Sequence, residues 1–279
     1  MKIFLPAIIF LSFSTISFAQ SDPLSLAKLI FAQERFSDIN NHITGEYEGR
    51  PNGTDLPENV TTDFLLLDKN DVTAVVNITI SDTSGSTLDT YLHFVKEDVW
   101  KASAFRGLAM TGIIAEIKEI LENMSEAQID SVIHHSKTDT SAYTMFTSRD
   151  EYEFELGTAR LTLASDNEII AHFKDNAKEF EKLKDDLLAN GIMSAENGLR
   201  GMKDTDLYKT RLYNLFVNNV TTGISYDYSD VLNFTIGGMI DNTVGYLFVK
   251  DKKKVPSMNP HRIIMIREIG NGWYIYKTT

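Results

Sequence analysis

Cysteine is absent from this 279-residue sequence, and no other feature limits the possible folds as strongly. Without disulfide bonds, the free energy of folding has to come from buried apolar surface, so each folded domain needs a large hydrophobic core. Apolar side chains make up 43% of the residues, which is enough for one large domain or two of ordinary size. The missing thiols also exclude cysteine nucleophiles, iron–sulfur clusters and thiolate zinc sites.

The first 19 residues have the pattern of a cleaved signal peptide. Lys2 precedes an apolar run over 3–18, and Ser17 and Ala19 place small side chains at the −3 and −1 positions of a cleavage site. A membrane-spanning helix needs roughly 20 apolar residues, whereas this run is shorter and interrupted by hydroxyl side chains. The sequence therefore predicts export to the bacterial periplasm or the extracellular space, with no membrane span in the exported chain.

Charge and motifs narrow the possible function classes. Acidic residues outnumber basic ones by 39 to 27, and an acidic surface repels nucleic acid. The basic cluster Lys250–Lys254 is typical of a solvated turn. The six histidines form no HExxH motif, and no glycine-rich phosphate-binding or dinucleotide-binding sequence is present. We therefore predict no metal site and no cofactor.

Hydrophobic spacing in the first half predicts a helix followed by an antiparallel sheet. Apolar residues recur at helical spacing over 23–39. Apolar and polar residues then alternate in three predicted strands, at 72–80, 88–94 and 99–105. A helical stripe begins at Leu108, and Ser125 with Gln128 has the spacing of a capping box that opens another helix.

The second half follows a polar stretch at 136–144. Aromatic residues and leucines alternate with glutamates after this stretch and predict a hairpin over 152–163 that turns at Gly157. Ser165 with Glu168 predicts a capping box for a long helix with a strong apolar stripe. Five more strands are predicted, at 211–217, 230–237, 243–249, 262–268 and 273–277.

A weak internal repeat links the halves. Tyr91–Lys96 reads YLHFVK and Tyr246–Lys250 reads YLFVK, and each is followed by a predicted strand with a tryptophan, Trp100 or Trp273. We therefore predict an α+β fold in which helices pack on curved antiparallel sheets. The predicted division is into two related domains, at 20–140 and 141–279.

This order of elements resembles the cystatin-like and NTF2-like α+β domains, in which a curved antiparallel sheet wraps one or more helices. The helix at 24–39, the meander at 72–105 and its counterpart at 211–277 carry the resemblance. No motif of fixed residues accompanies it, because these families share shape more than sequence. The resemblance implies a concave sheet face on which a pocket could form.

Candidate ligand contacts are the polar and aromatic residues on the strand faces opposite the expected core. They are Tyr91, His93, Trp100 and Arg106 in the first half, and Tyr246, Tyr274 and Tyr276 in the second. The competing interpretation is that each is an ordinary half-buried sheet residue.

Two functions fit these observations. The preferred one is a non-enzymatic exported protein that binds a small molecule, a peptide or another protein. The alternative is a cofactor-free enzyme of the NTF2-like kind, in which His93 handles protons inside a cone-shaped pocket. A carboxylate within hydrogen-bond reach of His93 would favour the enzyme.

Overall fold

A computed structural model describes residues 22–138, 144–189, 205–224 and 231–279. The predicted signal peptide lies outside these residues. Within them, seven α-helices and nine β-strands form two antiparallel sheets, which confirms the α+β fold class. The helices are α1 (Pro23–Ile30), α2 (Thr111–Glu122), α3 (Glu126–Thr138), α4 (Arg149–Leu163), α5 (Asp166–Asp175), α6 (Ala177–Ala189) and α7 (Thr205–Asn214). The strands are β1 (Thr61–Lys69), β2 (Thr73–Ser81), β3 (Thr87–Lys96), β4 (Trp100–Gly107), β5 (Asn219–Thr222), β6 (Leu232–Met239), β7 (Asn242–Phe248), β8 (Ile263–Gly270) and β9 (Trp273–Thr278).

The first sheet has the strand order β1-β2-β3-β4, and α1 packs on one of its faces. Asp22 caps α1 by accepting a hydrogen bond from the Ser25 backbone N–H at 3.2 Å. Alternation along β2 and β3 directs one set of side chains, including Val76 and Leu92, into the core under α1. The other set points toward the second half of the chain. The predicted strands in this region are confirmed, and β1 is an additional strand.

The second sheet has the order β5-β6-β7-β9-β8, so the last strand of the chain lies inside the sheet. Helices α5 and α6 cover one face, where Phe173 and Phe180 contact the Trp273 ring. Trp273 is fully buried, and its Nε1–H donates to Glu181 Oε1 at 2.8 Å. Trp273 therefore forms part of the core between this sheet and the two helices.

The predicted hairpin over 152–163 is wrong, because this segment is helix α4. The Ser148 side chain caps it by accepting from the Glu151 backbone N–H at 3.2 Å. Helix α4 contacts α2, α3, α7 and β6, so its apolar side chains are buried on several sides. A helix of this kind lacks a single apolar stripe, and its sequence can imitate the alternation of a strand.

Three other predicted boundaries need correction. The predicted long helix after Ser165 is divided at Asn176 into α5 and α6. The predicted strand at 211–217 is instead the end of α7 followed by a turn in which Phe216 has φ of 52°. The predicted helix over 23–39 ends at Ile30, where the Phe31 backbone N–H closes the last turn onto the Ala27 carbonyl. The capping boxes at Ser125 and Ser165 are confirmed.

Contacts between the two halves are extensive. Helices α2 and α3 share a core with α4 that includes Leu121, Ile129 and Tyr152. Val75 and Tyr91 of the first sheet belong to the largest core, together with residues of α5, α6 and the second sheet. The division into domains at 20–140 and 141–279 stays a prediction. Among the described residues, no helix combines the length and apolar character needed to cross a membrane.

Candidate functional site: the His93 cleft

The face of the first sheet that points away from α1 carries three of the predicted site residues. Strand pairing places Tyr91 opposite Arg106 and His93 opposite Ala104. Because alternate residues of a strand share a face, Tyr91 and His93 project to the same side of β3. This side faces the second half of the chain.

A cleft of about 400 Å³ lies between this sheet face and the loop 258–261 that precedes β8. We call it the His93 cleft. Its walls are mostly apolar and include Val75, Ala104, Met258 and Pro260. The cleft therefore joins strands of the first sheet to a loop of the second half.

The His93 side chain supplies an unusual polar atom to this cleft. The residue is 3% exposed, and its Nε2 has no hydrogen-bond partner among the described residues. Burial, with the nearby Arg106 charge, lowers the pKa of His93 from 6.5 to about 4, while the Ile264 backbone opposes this shift. The imidazole is therefore neutral at pH 7, and Nε2 has the capacity for one hydrogen bond that no described residue makes.

Arg106 fastens the loop to the sheet and does not line the cleft. Its Nε–H donates to the Pro260 carbonyl at 2.7 Å, and its guanidinium forms an ion pair with Glu46. His261 Nδ1 lies 3.6 Å from Glu46 Oε1. The hydrogen bond that Arg106 donates lowers the pKa of Glu46, and the positive charge of Arg106 lowers it further. Arg106 thus acts as a positioning residue for one wall.

Tyr91 belongs to a separate buried network that joins the halves. Its hydroxyl donates to the Asp166 carboxylate at 2.8 and 3.0 Å, and Lys277 Nζ lies 2.8 Å from Asp166 Oδ1. The Asp166 backbone N–H donates to Asp89 Oδ2 at 2.6 Å. Burial, with the Asp166 and Asp89 charges, raises the pKa of Tyr91 well above its usual value. All four residues are buried, so this network ties elements together and offers no exposed surface to a ligand.

Two other candidates lie inside hydrophobic cores, and their predicted position on a ligand-facing surface is wrong. Trp100 belongs to the core under α1, and the Lys69 and Lys96 ammonium groups lie 5.9 and 5.6 Å from its ring centroid. The Tyr246 hydroxyl donates to the Ile169 carbonyl at 2.9 Å in the core beneath the helices. Both side chains serve packing.

Tyr274 and Tyr276 lie on the opposite face of the second sheet from Tyr246. The three tyrosines therefore do not form one pocket. Of the seven predicted site residues, His93 alone lines the His93 cleft. The sequence does not predict a role for the loop 258–261, since this segment carries no local signal and reaches His93 only through the tertiary fold.

No protein-family model, no curated protein and no solved structure matches this chain. The similarity to cystatin-like and NTF2-like domains remains a resemblance in element order. Function therefore has to be argued from the geometry of the site.

Proposed function

We propose that this chain is an exported, non-enzymatic binding protein whose ligand occupies the His93 cleft. The observation that carries the proposal is the buried Nε2 of His93, which has no partner among the described residues, in a residue that lines a mostly apolar cleft. Buried polar atoms nearly always have a hydrogen-bond partner. A ligand with one polar group would supply that partner while its apolar part contacts the walls.

Size and charge define the ligand class. A volume of about 400 Å³ is at the lower end of ligand pockets, which span roughly 300 to 1,000 Å³. A neutral imidazole has no charge with which to attract an anion, and the Arg106 guanidinium is engaged by Glu46. We therefore infer a small, uncharged, mainly apolar ligand that carries one hydroxyl or amide group.

The alternative function, acid–base catalysis by His93, has less support. Efficient general acids and bases have a pKa near the working pH, whereas the pKa of His93 is about 4. No carboxylate hydrogen-bonds to Nε2 within the part of the chain that the structure describes. These two features favour binding over proton transfer.

Matched small probes can test the cleft. We expect phenol to bind more tightly than toluene, since only phenol offers a hydroxyl to Nε2. Binding would be followed by NMR through the backbone amide shifts of β3, β4 and the loop 258–261, which line the cleft and are shared by the native protein and the variants. The variant His93→Leu should lose the preference for phenol, while His134→Leu, which changes an exposed histidine, should keep it. Equal affinities of the two probes for the native protein, or no binding of either, would contradict the proposal.

Export is tested separately at the N-terminus. The proposal expects the periplasmic or secreted protein to begin at Gln20, directly after Ala19. Edman sequencing or mass spectrometry of the purified protein gives this directly. Intact Met1 on protein recovered only from the cytoplasm would disprove export.

A further inference from the structure

The second sheet carries a groove on the face that points away from α5 and α6. It has a volume of about 390 Å³ and is lined by side chains of β6, β7 and β9. Asn233 and Thr235 of β6 lie beside Thr243 of β7 and Thr278 of β9. We call it the Asn233 groove. It is on a different sheet from His93, so a ligand in this groove does not depend on the proposed function.

The side chain of Asn233 is incompletely hydrogen-bonded although it is buried. The residue is 7% exposed, and its Nδ2 donates to Thr221 Oγ1 at 3.3 Å. Its Oδ1 is buried and has no partner among the described residues. If the amide is turned over, its other end is left unpaired in the same position. One polar end of the Asn233 amide therefore lacks a hydrogen-bond partner among the described residues in either orientation.

The hydroxyl groups around Asn233 differ in the quality of their hydrogen bonds. Thr243 Oγ1 and Thr278 Oγ1 are 2.8 Å apart and form a good hydrogen bond. Tyr276, which is fully buried, has its hydroxyl 3.5 Å from Thr235 Oγ1. That separation is at the outer limit of a hydrogen bond. A polar ligand would therefore find the Asn233 acceptor and the Thr235 hydroxyl at this end of the sheet.

The rim of the groove carries one negative and one positive side chain. Asp241 contributes one carboxylate and Arg262 one guanidinium. A wall of amide and hydroxyl groups with opposite charges at its edge matches a neutral ligand that has several hydroxyls. The more apolar His93 cleft, by contrast, matches a ligand with one polar group.

We propose that the Asn233 groove is a second ligand site, which takes a small, neutral, polyhydroxylated molecule of monosaccharide size. One ligand hydroxyl donates to Asn233 Oδ1. Another exchanges a hydrogen bond with the Thr235 hydroxyl, which lines the groove.

The test is an NMR titration of the full-length folded protein with glucose, galactose, N-acetylglucosamine and myo-inositol. We expect at least one probe to give saturable shifts in the Asn233 side-chain amide and in the backbone amides of β6 and β7. Asn233→Leu should weaken that binding by about tenfold or more, because a buried acceptor that recognises a hydroxyl is lost. The control is Asn219→Leu, which changes an exposed asparagine of the same sheet and should leave the affinity unchanged.

A second variant keeps the test decisive where Asn233→Leu does not fold. Thr235→Val removes one hydroxyl with little change in shape, and it should also weaken the binding. Two results would overturn the proposal: no saturable shift with any of the four probes, or unchanged affinity in the folded Asn233 and Thr235 variants.

Discussion

At the residue scale, His93 makes the free energy of unfolding depend on pH. Its pKa is about 4 in the folded protein and 6.5 for an unperturbed side chain. As the pH falls below 6.5, the unfolded chain takes up a proton that the folded protein does not. The stabilising contribution is therefore complete above pH 6.5 and is lost progressively as the pH falls toward 4. A difference of this size corresponds to about 3 kcal/mol.

Urea unfolding of the native protein and His93→Leu at pH 7 and at about pH 5 checks this. We expect the native protein to lose more stability between the two pH values than the variant does. Carboxylates such as Glu46, and His172 with its lowered pKa, are present in both proteins. Their contributions to the pH dependence of the free energy of unfolding therefore cancel in the comparison. Equal losses would show that His93 is protonated in the folded protein.

The buried ion pair of Asp166 and Lys277 gives a second prediction at this scale. Lys277→Met leaves the Asp166 carboxylate buried without its cation, which should cost about 3 to 5 kcal/mol. The double variant Asp166→Asn with Lys277→Met should cost much less than the sum of its parts, since the two charges of the pair are removed together. Urea unfolding measures all three variants. Lys178→Met, at an exposed lysine, is the control. If the losses in unfolding free energy of the two single variants add up to the loss in the double variant, the predicted coupling between Asp166 and Lys277 is contradicted.

The sequence predicts the sheet face on which His93 lies but not the cleft that this face borders. Alternation along β3 predicts that His93 and Leu92 lie on opposite faces of the sheet. The pairing of β2 and β3 confirms this prediction. The other wall comes from the loop 258–261, far along the chain. Local pattern carries no information about such a contact, because it depends on how the two sheets pack.

At the element scale, Gly157 shows why α4 was predicted wrongly. Glycine in mid-sequence suggests a turn, but Gly157 lies inside a helix where a Cβ would overlap the Phe216 ring. Its small size permits close packing between α4 and the turn after α7. A sequence window contains the glycine but not the ring that packs against it.

Substitution of this glycine is the prediction at the element scale. Gly157→Ala gains about 1 kcal/mol of helix propensity, but overlap with Phe216 should cost about 1 to 3 kcal/mol, so we expect net destabilisation. Adding Phe216→Leu should recover part of the loss. In α2, Gly112→Ala is the matched control, because its Cβ meets no atom within 4 Å. This control should be stabilising in the same thermal melts, and a stabilising Gly157→Ala would contradict the packing argument.

At the scale of the whole molecule, the internal repeat does not separate two independent cores. Tyr91 points away from α1 and Tyr246 points toward α5 and α6, yet both belong to the largest core. The Tyr91 hydroxyl also bonds to Asp166 at the start of α5. The first sheet is therefore covered on one face by α1 and is attached to the second half through the other.

This attachment predicts the result of limited proteolysis. The polar stretch around 136–144 predicts first cleavage between Ser136 and Asp150, which would give two fragments on a denaturing gel. We expect the fragments to stay together in gel filtration, because α2 and α3 share a buried core with α4 and Tyr91 bonds to Asp166 across the cut. The nicked protein should also keep its circular dichroism spectrum. Fragments that elute separately, each with its helical or sheet signal intact, would instead show two domains that fold independently.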